Sequence, residues 1–160
     1  METISIEKTN ISFRPAKISE AQYLSDLALR SKSIYDYPTE YIEKCRDALT
    51  VSEEYIQNWP VVVIEQKSET IGFYALKTIE GENRLDHLWL EPKVIGQSVG
   101  RQAFAQIIAE AKKLGWDSFR IVADPKALGF YEKMGAVKIG MTQSRIAPDI
   151  FLPHMEYSIK

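Results

Sequence analysis

Two spacings organise this chain: apolar residues that recur every three or four positions, and apolar residues that alternate with polar ones. Ile18, Ala21, Leu24, Leu27, Ala28 and Ile34 fall at helical spacing, and Ser31-Lys32-Ser33 followed by Tyr35-Asp36-Tyr37-Pro38 breaks the pattern. A second helix is predicted from about Thr39 to Leu49, with Tyr41, Cys45 and Leu49 on one face. Thr50-Val51-Ser52-Glu53 has the form of a capping box and opens another short helix toward Trp59. Phe104, Ile107, Ile108, Ala111 and Leu114 stripe a helix from Arg101 to Leu114, closed by Gly115. A further short helix is predicted within Asp124–Gly135 and ends at that glycine.

The alternating segments predict strands at Ile11–Arg14, Val61–Glu65, Thr70–Lys77, Arg84–Leu90, Ser118–Ala123, Val137–Thr142 and Ile150–Ile159, the last interrupted by Pro153. Hairpin strands combined with a strand–helix–strand crossover imply a mixed α/β sheet. No repeat or linker divides the chain, and 160 residues suit a single domain spanning 1–160.

Charge narrows the partners. A net charge of −2 gives no reason to expect nucleic acid or an anionic membrane surface. No apolar run is long enough to cross a bilayer, and no N-terminal signal pattern is visible, so no membrane partner is expected. The single cysteine, Cys45, excludes an internal disulfide and fits the cytoplasm. Asn10-Ile11-Ser12 matches a glycosylation sequon, but nothing else points to secretion, and it reads as chance.

Candidate chemistry concentrates in Arg84–Leu114, where a strand passes through a glycine-bearing turn directly into a helix. The first helical N–H groups lack internal partners, and the helix dipole adds partial positive charge there. With Gly96 and Gly100 in the turn, this is a cradle for a phosphate or pyrophosphate. Two nucleotide readings fail on residues. The glycines lack the Gly-x-Gly-x-x-Gly spacing, and Gly100-Arg101-Gln102 is not the Gly-Lys-Ser/Thr of a Walker loop.

The segment resembles the acetyl-coenzyme-A-binding core of the Gcn5-related N-acetyltransferases, the GNAT superfamily. Leu90-Glu91-Pro92 matches that family's hydrophobic-x-Pro strand end, and Ile95-Gly96-Gln97-Ser98-Val99-Gly100 its Gln/Arg-x-x-Gly-x-Gly/Ala loop. Downstream, Ala127, Tyr131 and Gly135 match Asn-x-x-Ala-x-x-x-Tyr-x-x-x-Gly, with Asp124 in place of the Asn. The likeness covers nearly the whole chain, from Arg14-Pro15-Ala16 to Leu152-Pro153. Ile95 stands where the family has Gln or Arg, so no side chain there helps hold pyrophosphate. Ser98 replaces a glycine, and Asp124 brings a negative charge near the cofactor arm.

The resemblance implies a mostly antiparallel twisted sheet of about six to seven strands with helices on both faces. It implies acetyl-coenzyme A as cosubstrate, held by Leu88, Trp89 and Leu90, by Ile95, Gly96, Gln97, Ser98, Val99, Gly100 and Arg101, and near Asp124. Backbone groups of Leu88 and Leu90 would pair with the pantetheine arm. By resemblance Tyr131 is the acid that protonates the leaving thiolate, and Asp86 the base. Strict alternation places Arg84, Asp86, Leu88 and Leu90 on one face of the strand, and Leu85, His87 and Trp89 on the other. A solvated or salt-bridged Asp86 is the alternative reading.

Tyr35, Asp36 and Tyr37, with Glu40 and Tyr41 nearby, lie where the family lines its acceptor pocket; their aromatic faces and carboxylate suit a cationic amine. Composition alone equally allows a surface turn of packed tyrosines. The expected activity is direct transfer of acetyl to a primary amine of a small molecule or peptide within a ternary complex, since no Cys–His nucleophile pair is visible. The alternative is a non-catalytic acyl-coenzyme-A sensor of the same fold. An exposed final strand offers a possible homodimer contact.

Overall fold

The computed structural model describes residues 10–159. Its strands are β1 (Ile11–Pro15), β2 (Val61–Gln66), β3 (Glu69–Ile79), β4 (Glu82–Leu90), β5 (Ser118–Val122), β6 (Val137–Gln143) and β7 (Phe151–Ser158). They form one sheet in the order β1-β2-β3-β4-β5-β7-β6, antiparallel throughout except for the parallel pair β4–β5. Two-residue turns close the first hairpins: Lys67 and Ser68 join β2 to β3, and Glu80 and Gly81 join β3 to β4, all with positive φ. That turn geometry matches the right-handed twist of the strands it connects.

Helices α1 (Ala21–Lys32), α2 (Thr39–Leu49) and α3 (Glu53–Asn58) cover one face, and α4 (Val99–Lys113) and α5 (Leu128–Lys133) the other. Alternation along β3 makes this possible. Phe73 and Ala75 pack with Leu24, Leu27 and Cys45, whereas Tyr74 and Leu76 pack with Phe104, Ile107 and Tyr131. Mixed topology and two-sided helical cover are as the sequence implied.

Several local expectations change. Ile18 lies in a 3-10 turn before α1, and Ile34 lies beyond its end; both are exposed, as is Leu114 at the C-cap of α4. Ser52, not Thr50, caps α3: its Oγ accepts from Tyr55 N at 3.0 Å, while Thr50 Oγ1 donates to Arg46 O at the end of α2. Pro153 does not interrupt β7. It sits in register opposite Met141, and its carbonyl accepts from Ala123 N, because proline lacks only the donor. The final strand is interior, so it is not the exposed edge expected to offer a dimer contact; that edge is β6.

Two irregularities in β4 set up the site. Its parallel pairing with β5 is confined to Arg84↔Arg120, after which the strands separate. Its register with β3 steps from Ala75↔His87 to Leu76↔Leu85, which leaves Asp86 as the extra residue of a bulge.

Candidate active site

Beyond Arg84 a cleft of about 560 Å³ opens between the diverging strands, reached by residues of α1, α2, α4 and α5. At one end stands the predicted cradle. Gly96 (φ 90) and Ser98 (φ 66) both adopt the left-handed conformation, so Ser98 takes a backbone shape usually left to glycine. Ser98 is the N-cap of α4, and its Oγ accepts from Gln102 Nε2 at 3.3 Å. Gly100 admits another element: a Cβ there would lie 2.9 Å from the Phe130 ring, so the missing side chain lets α5 abut the first turn of α4. Ile95, Gly96, Ser98, Gly100 and Arg101 line the cleft, as do Leu88, Trp89 and Leu90.

Two cradle residues point elsewhere. Val99 is buried among Ile64, Ile71 and Ala103, and Gln97 donates its side-chain amide to Lys93 O. The Gln97 N–H is also spent, on Val94 O, which leaves the Val99 backbone N–H for a ligand. A glycine that sequence reading did not single out also shapes this wall: at Gly72 a Cβ would fall 2.7 Å from Trp89 O, so β3 can lie against the end of β4 only without one.

The bulge rearranges the acid–base candidates. Leu85, Leu88 and Leu90 pack toward α4, while Asp86, His87 and Trp89 all face α1–α3. The strict alternation that separated Asp86 from His87 is therefore wrong, because the extra residue resets the phase of the pleat. Asp86 Oδ2 accepts from Tyr55 Oη at 2.5 Å, and His87 Nε2 lies 3.9 Å from the same oxygen. Trp89 Nε1 donates to His87 Nδ1 at 3.0 Å. An indole N–H only donates, so the neutral imidazole carries its proton on Nε2, toward Asp86. Burial holds His87 below its ordinary range and so keeps it neutral. In this tautomer it is a donor beside Asp86, not a second base.

Across the cleft is Tyr131, buried against Phe104 and Phe130. Burial, with smaller contributions from Tyr35 and Asp124, pushes its phenol well above the usual range, so it stays protonated. Cys45 also lines the cleft, and burial raises its thiol. A protonated, buried thiol is poorly suited to carry an acyl group.

The expected acceptor residues divide. Tyr35 lines the cleft; Asp36 is exposed and Tyr37 is turned away, and neither lines it. Tyr37 Oη donates to Asp124 Oδ1 at 2.9 Å, and Lys32 Nζ and Lys126 Nζ lie over its ring at 5.0 and 5.2 Å. The Tyr37 ring, one of the faces expected to receive an amine, is thus covered by the chain's own lysines. Asp124 lines the cleft, yet its Oδ2 is paired with Lys32 at 2.6 Å and Oδ1 also accepts from Lys126 N. The negative charge expected near the cofactor arm is neutralised by Lys32.

Tyr55 and Lys32 were missed by sequence reading. No local motif marks them, since each gains its place through contacts far along the chain.

The family model described as the acetyltransferase (GNAT) domain matches residues 30–158. A Gcn5-related N-acetyltransferase from Rhodopseudomonas palustris superposes with a TM-score of 0.80 at 20% identity, covering 94% of this chain and 96% of that one. The PaiA N-acetyltransferase of Thermoplasma acidophilum, solved with coenzyme A, gives 0.72 at 23% identity, covering 92% and 98%. A spermidine N-acetyltransferase chimera of Vibrio cholerae SpeG and hSSAT gives 0.70 at 15%, covering 94% and 96%. No curated protein sequence matches. At such identities the structural likeness establishes the fold.

Proposed function

The chain belongs to the GNAT acetyltransferase family, and on that premise we propose that it moves acetyl from acetyl-coenzyme A to the primary amine of a small molecule or peptide, by direct transfer in a ternary complex. One observation carries the reading: Asp86 and Tyr131 line a single cleft from opposite sides of the strand divergence, with the α4 cradle at its end. Family membership supports acyl-coenzyme-A use, as does the complex of PaiA with coenzyme A.

The cleft fits such a ligand. The β5-facing backbone groups of Leu88–Leu90, which pair with β3 on their other side, would hold the pantetheine arm, and the α4 amides from Ser98 to Arg101 would hold the pyrophosphate. Acetyl-coenzyme A, when bound, supplies the acetyl group as a thioester. Asp86, oriented by Tyr55, receives a proton from the incoming ammonium. The freed nitrogen lone pair then forms the C–N bond while the C–S bond breaks, and the electron pair leaves with sulfur. Tyr131 gives its proton to that sulfur, and the nitrogen's second surplus proton restores the phenol. The balance is an amide, a thiol and one proton released through Asp86. We place this activity in a single domain spanning 1–160, in the cytoplasm.

Thermal shift with coenzyme A, combined with thiol release across an amine panel, tests the reading. Stabilisation and release are expected. Stabilisation without release from any amine would indicate a sensor, and no stabilisation would remove both.

A further inference from the structure

We infer that the acceptor is a monoamine carried on an apolar body, an alkylamine or arylalkylamine, rather than a polyamine or an amino sugar; this rests on the acetyl-transfer reading above. Among the described residues the cleft is lined by five charged side chains: Lys32, Asp86, Arg101, Asp124 and Lys133. Of its two acids, Asp124 is already spent on the chain itself. The Lys32–Asp124 pair is 2.6 Å long with both side chains less than a tenth exposed. Two of the aromatic faces that could stack on an ammonium, those of Tyr37 and Tyr41, are taken in the same way, since Lys32 Nζ lies 5.0 Å from the centre of the Tyr37 ring and 5.5 Å from that of Tyr41.

One anion therefore remains in the cleft, Asp86, against the cations Arg101 and Lys133. A single ammonium beside Asp86 is matched. A second one on the same acceptor would lose water and meet no carboxylate. The wall available to the rest of the acceptor is mainly apolar: Cys45, Ala48 and Leu49 of α2, Trp89 of β4, and Ile146 and Leu152 around the β6–β7 loop, with Tyr35, Tyr41 and Ser144 as its polar members. Such a wall rewards alkyl or aromatic surface and penalises further charges.

The test is thiol release at saturating acetyl-coenzyme A, with hexylamine and phenethylamine set against spermidine and kanamycin. The monoamines are expected to show kcat/KM at least about tenfold higher. Equal or greater kcat/KM for spermidine or kanamycin overturns the inference and leaves acetyl transfer standing. No release from either set, with coenzyme A still raising Tm, removes the transfer reading and the inference with it. Ala48→Glu supplies a second measurement, because Ala48 is an exposed α2 position on the cleft wall and tolerates the change. The added carboxylate should raise the spermidine-to-hexylamine ratio of kcat/KM about tenfold. An unchanged ratio in a variant with the parent Tm overturns the inference.

Discussion

Tyr55 Oη stands 2.5 Å from Asp86 Oδ2, tying α3 to the bulged residue of β4. The hydroxyl donates to Oδ2 and so restrains the carboxylate's orientation. On the proposed mechanism this makes Tyr55, itself outside the cleft lining, a positioning residue.

Tyr55→Phe keeps the ring and removes the donor. Its kcat should fall about tenfold while KM for acetyl-coenzyme A holds, since a mispositioned base slows proton transfer without touching the cradle. Steady-state kinetics decide this, and an unchanged kcat would leave the bond a purely structural one.

Tyr131→Phe removes the proposed acid. A loss of about a hundredfold in turnover, with coenzyme A affinity retained, is expected from calorimetry and rate measurements together. Because burial holds the wild-type phenol protonated, no alkaline loss of rate from its ionisation should appear below about pH 10. A parent-like rate in the variant would assign the acid's role elsewhere.

His87 links stability to pH. Burial lowers its folded-state value below the ordinary 6.5, so between the two values the unfolded chain binds the extra proton. The contribution is complete above about pH 6.5 and is lost as pH falls through the folded value. Urea midpoints of the parent should drop from pH 7 toward pH 5, and His87→Gln should flatten that slope. Parallel slopes would show that other groups carry the acid sensitivity.

Gly100 and Phe130 should behave as a pair. Gly100→Ala sets a methyl 2.9 Å from the Phe130 ring, so it should lower Tm and weaken coenzyme A binding. Combining it with Phe130→Leu should cost less than the sum of the single changes, by about 1 kcal/mol. A double-mutant cycle of thermal melts measures the coupling, and strict additivity would mean that the ring yields freely.

Lys32→Met strands a buried carboxylate. Chemical unfolding should show a loss of about 3 kcal/mol, because Asp124 keeps its desolvation without its partner. Lys32→Met combined with Asp124→Asn should lose less than Lys32→Met alone. If the double variant is the weaker protein, the pair is not what stabilises this corner.

Much of the architecture was legible in the sequence. The Thr39–Leu49 helix agrees in both bounds, and the strand–turn–helix at Arg84–Leu114 is present with its glycine turn. Such features rest on local rules, periodic burial and backbone preference, that neighbouring residues largely satisfy among themselves. The face assignment of Asp86 failed for an equally physical reason. Alternation holds only while a ladder is unbroken, and the bulge depends on how β3 pairs, which β4 alone does not encode.

By itself, then, the sequence determined the elements, their order, the glycine-bearing cradle and the placing of Tyr131 within a recurrent motif. Tertiary structure decided which side chains meet. It joined Tyr55 to Asp86 across 31 residues and Lys32 to Asp124 across 92. The first pairing orients the carboxylate proposed as the base, and the second sets a lysine over the Tyr37 ring, where an acceptor's ammonium was expected. Both depend on charge and hydrogen-bond complementarity between elements distant in the chain, which exists only after the sheet has brought them together.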